Sequence, residues 1–170
     1  MPVRHPFKLI ALSLLLAGVQ LPALAGDVES GAQAIQEGEF EKAFAEWQPL
    51  AEKGEPGVQA AIGVMYHAGQ GVPQDYEKAF QWYRRAAEKG NAASQANLGV
   101  MYAKGVGVER DLVQAYVWFA LAAMNNGSSG HARGRDKLAK MLDKEQLAKA
   151  ERLAKEYAKK YVTPFRPPSP

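Results

Sequence analysis

General acid–base catalysis would need a histidine with a partner, or two carboxylates brought together in one pocket. After the first 25 residues the chain holds two histidines, His67 and His131. The first falls near the end of a predicted helix and the second in a predicted junction between helices, and the sequence offers neither of them an acid, base or nucleophile constellation. We therefore expect ordinary surface or helix-end residues at both positions and predict no catalytic residue.

The residue types give no support for metal or cofactor binding. The sequence has no cysteine, no histidine pair at helical spacing and no oxygen-rich calcium-binding loop. Gly69-Gln70-Gly71 and Gly105-Val106-Gly107 have the glycine content of phosphate-binding loops, but no predicted strand precedes them and no lysine follows in the required place. They are typical of turns between helices, and we predict neither a metal site nor a cofactor.

The first 25 residues have the three parts of a secretory signal peptide. Arg4 and Lys8 form a basic start, residues 9–19 are apolar, and Ala23-Leu24-Ala25 is a small-x-small cleavage motif. An uncleaved membrane anchor is the alternative, but the apolar run is shorter than the roughly 18 to 20 residues that span a bilayer, and Pro22 interrupts its end. We predict cleavage after Ala25 and a periplasmic or secreted protein, without lipid attachment because no cysteine follows.

Charge is unevenly distributed along the chain. Residues 26–130 hold 8 basic and 13 acidic side chains, whereas residues 131–170 hold 11 basic and 5 acidic ones. The formal net charge of +3 is therefore the sum of −5 from residues 26–130, +6 from residues 131–170 and +2 from Arg4 and Lys8 in the first 25 residues. The basic part could favour an anionic surface, but Glu145, Glu151 and Glu156 dilute it. A solvated helix face is the simpler interpretation, and nucleic acid is not an expected partner.

A 36-residue repeat runs through the middle of the chain. Residues 54–66 align with residues 90–102 at this offset, and a partial first unit precedes them because residues 51–54 match residues 87–90. Each unit is predicted to form two helices, the first of them at residues 56–68 and 92–104. In these first helices one stripe at i, i+3, i+4 and i+7 is predicted to be the buried face of an amphipathic helix, and it consists of Gln59, Ile62, Gly63 and Tyr66 in one unit and Gln95, Leu98, Gly99 and Tyr102 in the next.

Glycines inside the first helices indicate how closely the second helices approach. Gly63 and Gly99 occupy helix interiors, where glycine costs about 1 kcal/mol relative to alanine, so a closely packed partner helix is the expected compensation. Short carboxylates can cap the second helices by accepting free N–H groups. The predicted caps are Asp75 and Asp111, and the predicted core aromatics at repeat positions are Tyr66, Trp82, Tyr102 and Trp118.

The repeat pattern is A-x-x-L/I-G-x-M-Y-x-x-G-x-G-V-x-x-D-x-x-x-A-x-x-W-x-x-x-A-A, and it occurs at residues 60–87 and 96–123. This pattern resembles the Sel-1-like repeat, a relative of the tetratricopeptide repeat. The resemblance implies an all-α fold, a right-handed α-solenoid of antiparallel helix pairs, with a concave face used for protein contacts.

The chain is predicted to divide into four parts. After the signal peptide at residues 1–25, the solenoid covers residues 26–126, with a partial unit at 27–53 and full units at 54–89 and 90–126. Capping helices at residues 127–163 close the stack, and residues 164–170 form a proline-rich tail. Within the cap we expect helices at residues 132–142 and 144–161, the second beginning with a capping box formed by Asp143 and Gln146.

In related solenoids the first helices line the inside, so the resemblance places a contact surface there. Ala61, Ala68 and their neighbours run along the face opposite the predicted buried stripe. A mildly polar solvent face without a partner is the alternative. The candidate protein-binding residues are Val64, Met65, Asn97, Val100, Met101 and Lys104.

The sequence and the resemblance together favour an exported adaptor or regulator of the bacterial cell envelope. We expect it to bind a protein or peptide, without catalysis and without stable membrane insertion. A cell-wall-modifying enzyme is an alternative, since some cysteine-rich relatives have been linked to cell-wall substrates, but this chain lacks their cysteine pairs. A dedicated inhibitor or stabiliser of one envelope enzyme is the other alternative.

Overall fold

The structure is a computed structural model that describes residues 25–165. In this part of the chain it contains eight α-helices, one short 3-10 helix and no strand. The helices are α1 (Ala25–Glu37), α2 (Phe40–Lys53), α3 (Pro56–Ala68), α4 (Tyr76–Glu88), α5 (Ala92–Lys104), α6 (Leu112–Asn126), α7 (Ser129–Ala139) and α8 (Lys144–Tyr161), and the 3-10 helix is Thr163–Phe165. The predicted first helices of the two full repeats, residues 56–68 and 92–104, are confirmed.

Two parts of the sequence-based description lie outside the described residues. Apart from Ala25, the predicted signal peptide falls there, and so do residues 166–170 of the proline-rich tail. Within residues 25–165, no helix is both long enough and apolar enough to cross a membrane.

Each repeat begins and ends its helices with the same local devices. The Asp75 carboxylate accepts a hydrogen bond from the Lys78 backbone N–H at 2.9 Å, and Asp111 accepts from Gln114 at 3.0 Å, so both predicted N-caps are confirmed. The first helix of each full repeat ends at a glycine in the left-handed region, with φ of 68° at Gly69. A side chain is rarely tolerated in that conformation, which explains the glycine.

The two helices of every pair meet where a small residue faces an aromatic ring. Gly63 on α3 lies against the ring of Tyr83 on α4, and Gly99 on α5 lies against Phe119 on α6. The partial first unit repeats the arrangement with Gly31 and Trp47. The expected close approach of the paired helices is confirmed, and the ring occupies the volume that a helix side chain would fill.

Hydrogen bonds join each unit to the next. The Gln59 side chain on α3 donates to the Ala51 carbonyl of the preceding helix at 2.9 Å, and Gln95 on α5 donates to Ala87 at 3.1 Å. Both glutamines are buried, at 4% and 0% exposure. Within the second full unit, the Asn125 side chain on α6 donates to the Gly90 carbonyl. The Ala51 and Ala87 carbonyls also accept backbone hydrogen bonds from Gly54 and Gly90, so each buried glutamine adds a second bond there and fixes the stacking of successive pairs.

The buried apolar residues form two clusters, one for each half of the stack. The first extends through α1, α2 and α3 and includes Trp47, Leu50 and Ile62. The second begins on α4 and continues through α5 and α6 into the cap, where Ala150 and Ala154 of α8 join it. The core therefore follows the helix stack from one end to the other, as expected for a solenoid.

The C-terminal cap differs in one respect from the prediction. Helix α8 has the expected bounds and the expected capping box, in which Asp143 and Gln146 bond each other's backbone N–H. The helix predicted before it at residues 132–142 is present, but α7 begins and ends three residues earlier, at Ser129–Ala139. Gly127 ends α6 at a φ of 66°, and Gly127 and Ser128 suffice to link the two helices. Gly130 is thus helical rather than part of a loop.

Candidate interaction groove

The structure separates the residues that sequence reasoning placed on one contact surface. Met65 and Met101 are buried, at 0% and 1% exposure, so their assignment to a protein-binding surface was wrong. Ala61, which lies beside them on the same predicted face, is also buried at 4% exposure. A first helix packs against both its own partner and the neighbouring unit, so its buried arc is wider than that of a helix with one apolar stripe.

The other four candidates remain at least partly accessible. Lys104 is exposed, and Val64, Asn97 and Val100 are half-buried. Val64 packs against the core cluster that begins on α4, so its side chain is largely committed to packing between units. Only Asn97 and Lys104 thus offer polar groups that a partner could reach from this side, and they remain a candidate surface.

A second and better-formed surface is a groove of about 440 Å³ bordered by α4, α6 and α8. Its aromatic part is a cluster of three rings. Trp118 on α6 lies 6.0 Å, between ring centroids, from both Tyr157 and Tyr161 of α8, and the two tyrosines lie 5.5 Å apart in an edge arrangement. Trp118 itself is only 4% exposed. It therefore supports the two half-buried tyrosines, which present their rings to the groove.

Charged and hydroxyl groups line the rest of the groove. The Arg84 guanidinium on α4 pairs with Glu88 at 2.9 Å on an exposed part of the helix. The Glu88 carboxylate, by a hydrogen bond and by its charge, raises the pKa of Arg84. Burial raises the pKa of Tyr102, against an opposing effect of Arg84, so its phenol stays protonated and can donate a hydrogen bond. The remaining residues of the lining are Val108, Glu109, Arg110, Asp111 and Gln114.

The residue types of the groove are those found at protein-contact surfaces. Aromatic rings, tyrosine hydroxyls and an arginine give large contact area with directional hydrogen bonds, which is the composition of strong protein-binding sites. The groove has carboxylates but no histidine, and Asp111 is engaged as a helix cap while Glu88 is paired with Arg84.

The two histidines lie apart from the groove. The His67 ring at the end of α3 packs 5.1 Å from Tyr76 and 6.3 Å from Tyr83, between centroids. Burial, and secondarily the charge of Lys104, lowers the pKa of His67, so the imidazole is neutral at neutral pH. His131 Nδ1 lies 3.2 Å from the Asn126 side-chain oxygen. None of these histidine contacts is with a carboxylate. Residues 25–165 contain no group of three or more His, Asp or Glu side chains that could hold a metal ion.

Sequence reasoning missed the groove because its residues come from distant helices. Trp118 was assigned to the core of a repeat, and Tyr157 and Tyr161 lie in the helix that was predicted to cap the stack at residues 144–161. Each assignment is partly right, since all three are at least half-buried. The available signal was the i, i+4 pair of tyrosines on the last helix, which places two large aromatic side chains next to each other on a single helical face.

Comparisons with known proteins identify the repeats. A family model described as Sel1 repeat matches residues 56–91 and 92–127. Among solved structures, a protective antigen present in uropathogenic Escherichia coli strains, described as displaying an SLR fold, is 36% identical with a TM-score of 0.78. That match covers 83% of this chain but 31% of the antigen, so this chain spans about a third of that protein.

A second solved structure is similar over nearly its whole length. This Sel1 repeat protein from Oxalobacter formigenes is 30% identical with a TM-score of 0.61, and the match covers 77% of this chain and 95% of that one. No curated protein has a significant match to the sequence.

Proposed function

Because the chain belongs to the Sel1 repeat family, we propose that it is an exported, non-catalytic scaffold that holds a protein partner in the groove between α4, α6 and α8. The repeats themselves provide a scaffold for protein–protein interaction. The observation that carries the proposal further is the convergence of Tyr102, Tyr157, Tyr161 and Arg84 on one open groove.

The composition of the groove favours a partner segment that is extended and partly polar. Tyrosine, tryptophan and arginine dominate the residues whose loss weakens protein complexes most. Here the tyrosine rings offer apolar contact, while Arg84 and the Tyr102 hydroxyl offer hydrogen bonds to a peptide backbone or a carboxylate. The groove is open along one side, so it can accommodate an extended chain segment, whereas small molecules usually bind in more enclosed pockets.

The cell envelope is the proposed location. The supporting observations are the three-part signal-peptide pattern of residues 1–25 and the bacterial origin of the structural neighbours. The Escherichia coli neighbour is described as a protective antigen, which agrees with a location outside the cytoplasm.

Crosslinking in intact cells tests the proposal. A photo-crosslinkable amino acid replaces Glu109, which lines the groove and is exposed, and in a matched control it replaces Glu77, an exposed glutamate of α4 outside the groove lining. We expect one dominant crosslinked protein from position 109 in the envelope fraction, and much less of it from position 77.

Two results would contradict the proposal. One is equal crosslinking from positions 109 and 77, which would show that the groove has no part in contact. The other is turnover of peptidoglycan fragments by the purified protein, which would instead favour an envelope enzyme. The location is checked separately, by reading the N-terminus of the envelope-fraction protein by mass spectrometry.

A further inference from the structure

The two ends of the helix stack carry opposite charge. Residues 27–55, which include α1 and α2, hold eight acidic and two basic side chains, a net charge of −6. Residues 127–165, which include α7 and α8, hold ten basic and five acidic side chains, a net charge of +5. The repeats between them, residues 56–126, have six basic and five acidic side chains and are nearly neutral. We call the first region the acidic end and the second the basic end.

Most of these charges are not neutralised within the chain. Among the described residues, the ion pair of the acidic end is Lys42–Glu39 at 3.0 Å, and that of the basic end is Arg135–Asp136. Three carboxylates surround Lys42, since Glu39, Glu37 and Glu46 all raise its pKa. At the basic end, the exposed cations without an ion pair are Arg133, Lys137, Lys140, Lys144, Lys149, Arg152, Lys155, Lys159 and Lys160.

The fold keeps the two ends apart. Helix α1 packs on α2, and α2 packs on α3, whereas α7 and α8 both pack on α6. The nearly neutral repeats separate the charged regions, so one end cannot compensate the other within a single molecule. Each end therefore exposes a net charge of one sign. Every other copy of the chain carries a net charge of the opposite sign and similar size at its other end.

We propose that the protein associates with a second copy of itself, the acidic end of one molecule against the basic end of the next. A contact between two different surfaces of the same chain is heterologous, and it extends into chains of molecules unless the rotation closes a ring. Helix α8 belongs to the basic end and also borders the groove through Tyr157 and Tyr161, so the contact would lie beside the groove of the copy that supplies its basic end.

The interleaved charges favour a protein over a lipid surface as the occupant. Glu145, Glu151 and Glu156 stand among the cations of α8, and a uniformly anionic membrane repels them. The acidic end carries Lys42 and Lys53, with which those glutamates can pair. The apolar stripe of α8, with Ala150 and Ala154 at 0% and 3% exposure, is already packed in the core and is not available to enter a bilayer.

Analytical ultracentrifugation of the purified protein at several concentrations tests the association. The Debye length falls from about 30 Å at 0.01 M salt to about 3 Å at 1 M, so contacts between exposed charges weaken as salt rises. We expect the mean sedimentation coefficient to rise with protein concentration at low salt and to be independent of concentration at 1 M. Sedimentation that is independent of both would overturn the proposal.

Charge variants locate the contact. Glu29→Lys with Glu41→Lys lowers the acidic end to −2, and Lys149→Glu with Lys155→Glu lowers the basic end to +1. All four side chains are exposed. Each double variant should associate about tenfold more weakly at low salt, because two attractive pairs are replaced by like charges. The matched control is Glu77→Lys with Gln81→Lys, which adds positive charge at two exposed positions of α4 outside the groove lining and should leave association unchanged.

Mixing the two end variants distinguishes head-to-tail contact from other modes. Each variant keeps one intact end, and these intact ends are complementary, so the mixture should form one-to-one complexes that do not grow into longer chains. Complex formation would also show that both variants are folded. An equal effect of the control variant, no complex in the mixture, or binding of anionic phospholipid vesicles without self-association would each overturn the proposal. The measurement uses purified protein alone, so its failure leaves the groove proposal untouched.

Discussion

Gly63 of α3 lies so close to the ring of Tyr83 on α4 that a β-carbon at position 63 would stand 2.7 Å from two ring carbons. The next repeat has the same relationship between Gly99 and Phe119, with a closest distance of 2.6 Å. Real β-carbons do not approach ring atoms this closely, so the glycines set the distance between the helices of each pair. This contact determines how the second helix, which carries the groove residue Arg84 in one repeat and Trp118 in the other, sits on the stack.

Replacing Gly63 by alanine should therefore destabilise the protein. The gain from alanine's higher helix propensity is about 1 kcal/mol, but moving the buried ring of Tyr83 should cost about 1 to 3 kcal/mol. We expect a net decrease in the free energy of unfolding, measured by urea denaturation followed by circular dichroism. Gly130→Ala is the control, because this helical glycine has only the Ser128 hydroxyl near its missing β-carbon, at 3.5 Å. Stabilisation by both substitutions would contradict the packing account.

The neutral His67 should make stability depend on pH in a defined direction. Burial lowers the pKa of the folded-state imidazole below 6.5, its ordinary value, and the unfolded chain therefore binds the proton first as pH falls. The contribution of His67 is complete above pH 6.5 and is lost as pH falls from there through the folded-state pKa. His67→Phe should flatten the pH dependence of the unfolding free energy in this window, measured by urea denaturation at each pH.

The charge of Lys104 gives a direct check of the cause. Lys104 lowers the pKa of His67 by electrostatic repulsion, after the larger effect of burial. In Lys104→Gln the pKa of His67 should move up towards its ordinary value, as measured by NMR titration of the imidazole protons. A shift in the opposite direction would show that the lysine charge does not act on this histidine.

The sequence alone predicted most of the fold, because the relevant signals are local. A capping carboxylate such as Asp75 acts within three residues, and Gly69 ends its helix through its own backbone conformation. The start of α7 was mispredicted because Gly130, normally a loop residue, is accommodated in the first helical turn after the two-residue link Gly127-Ser128. The residue at which α7 begins depends on how closely α6 and α7 pack, and tertiary packing of this kind overrides local helix propensity.

The candidate site was less predictable, because it depends on which helices become neighbours. Met65 has an apolar side chain beside a predicted stripe, and one sequence cannot show that the adjacent unit covers it. Tyr157 and Trp118 are 39 residues apart, and only the packing of α8 on α6 brings their rings to 6.0 Å. No periodicity within a single helix reports such a contact.

The remaining first-helix surface can be tested against the groove. Asn97 is half-buried and Lys104 exposed on α5, and both are outside the groove lining. If the groove holds the partner, the double variant Asn97→Ala with Lys104→Ala should bind the crosslinked partner with an affinity within about twofold of the unchanged protein, the range typical of residues outside an interface. Binding is measured by calorimetric titration, and circular dichroism verifies that the variant is folded. A loss of binding would show that the partner contacts the surface of the first helices instead of the groove.

The central claim, that the groove between α4, α6 and α8 holds the partner, is tested most directly by comparing two neighbouring arginines. Arg84 lines the groove, whereas Arg85 on the same helix turns away and covers the Trp82 ring at 4.6 Å. The measurement is the dissociation constant of the crosslinked partner for Arg84→Ala and for Arg85→Ala. We predict about a tenfold or greater loss of affinity for Arg84→Ala and little change for Arg85→Ala, whereas equal affinities for the two variants would contradict the account.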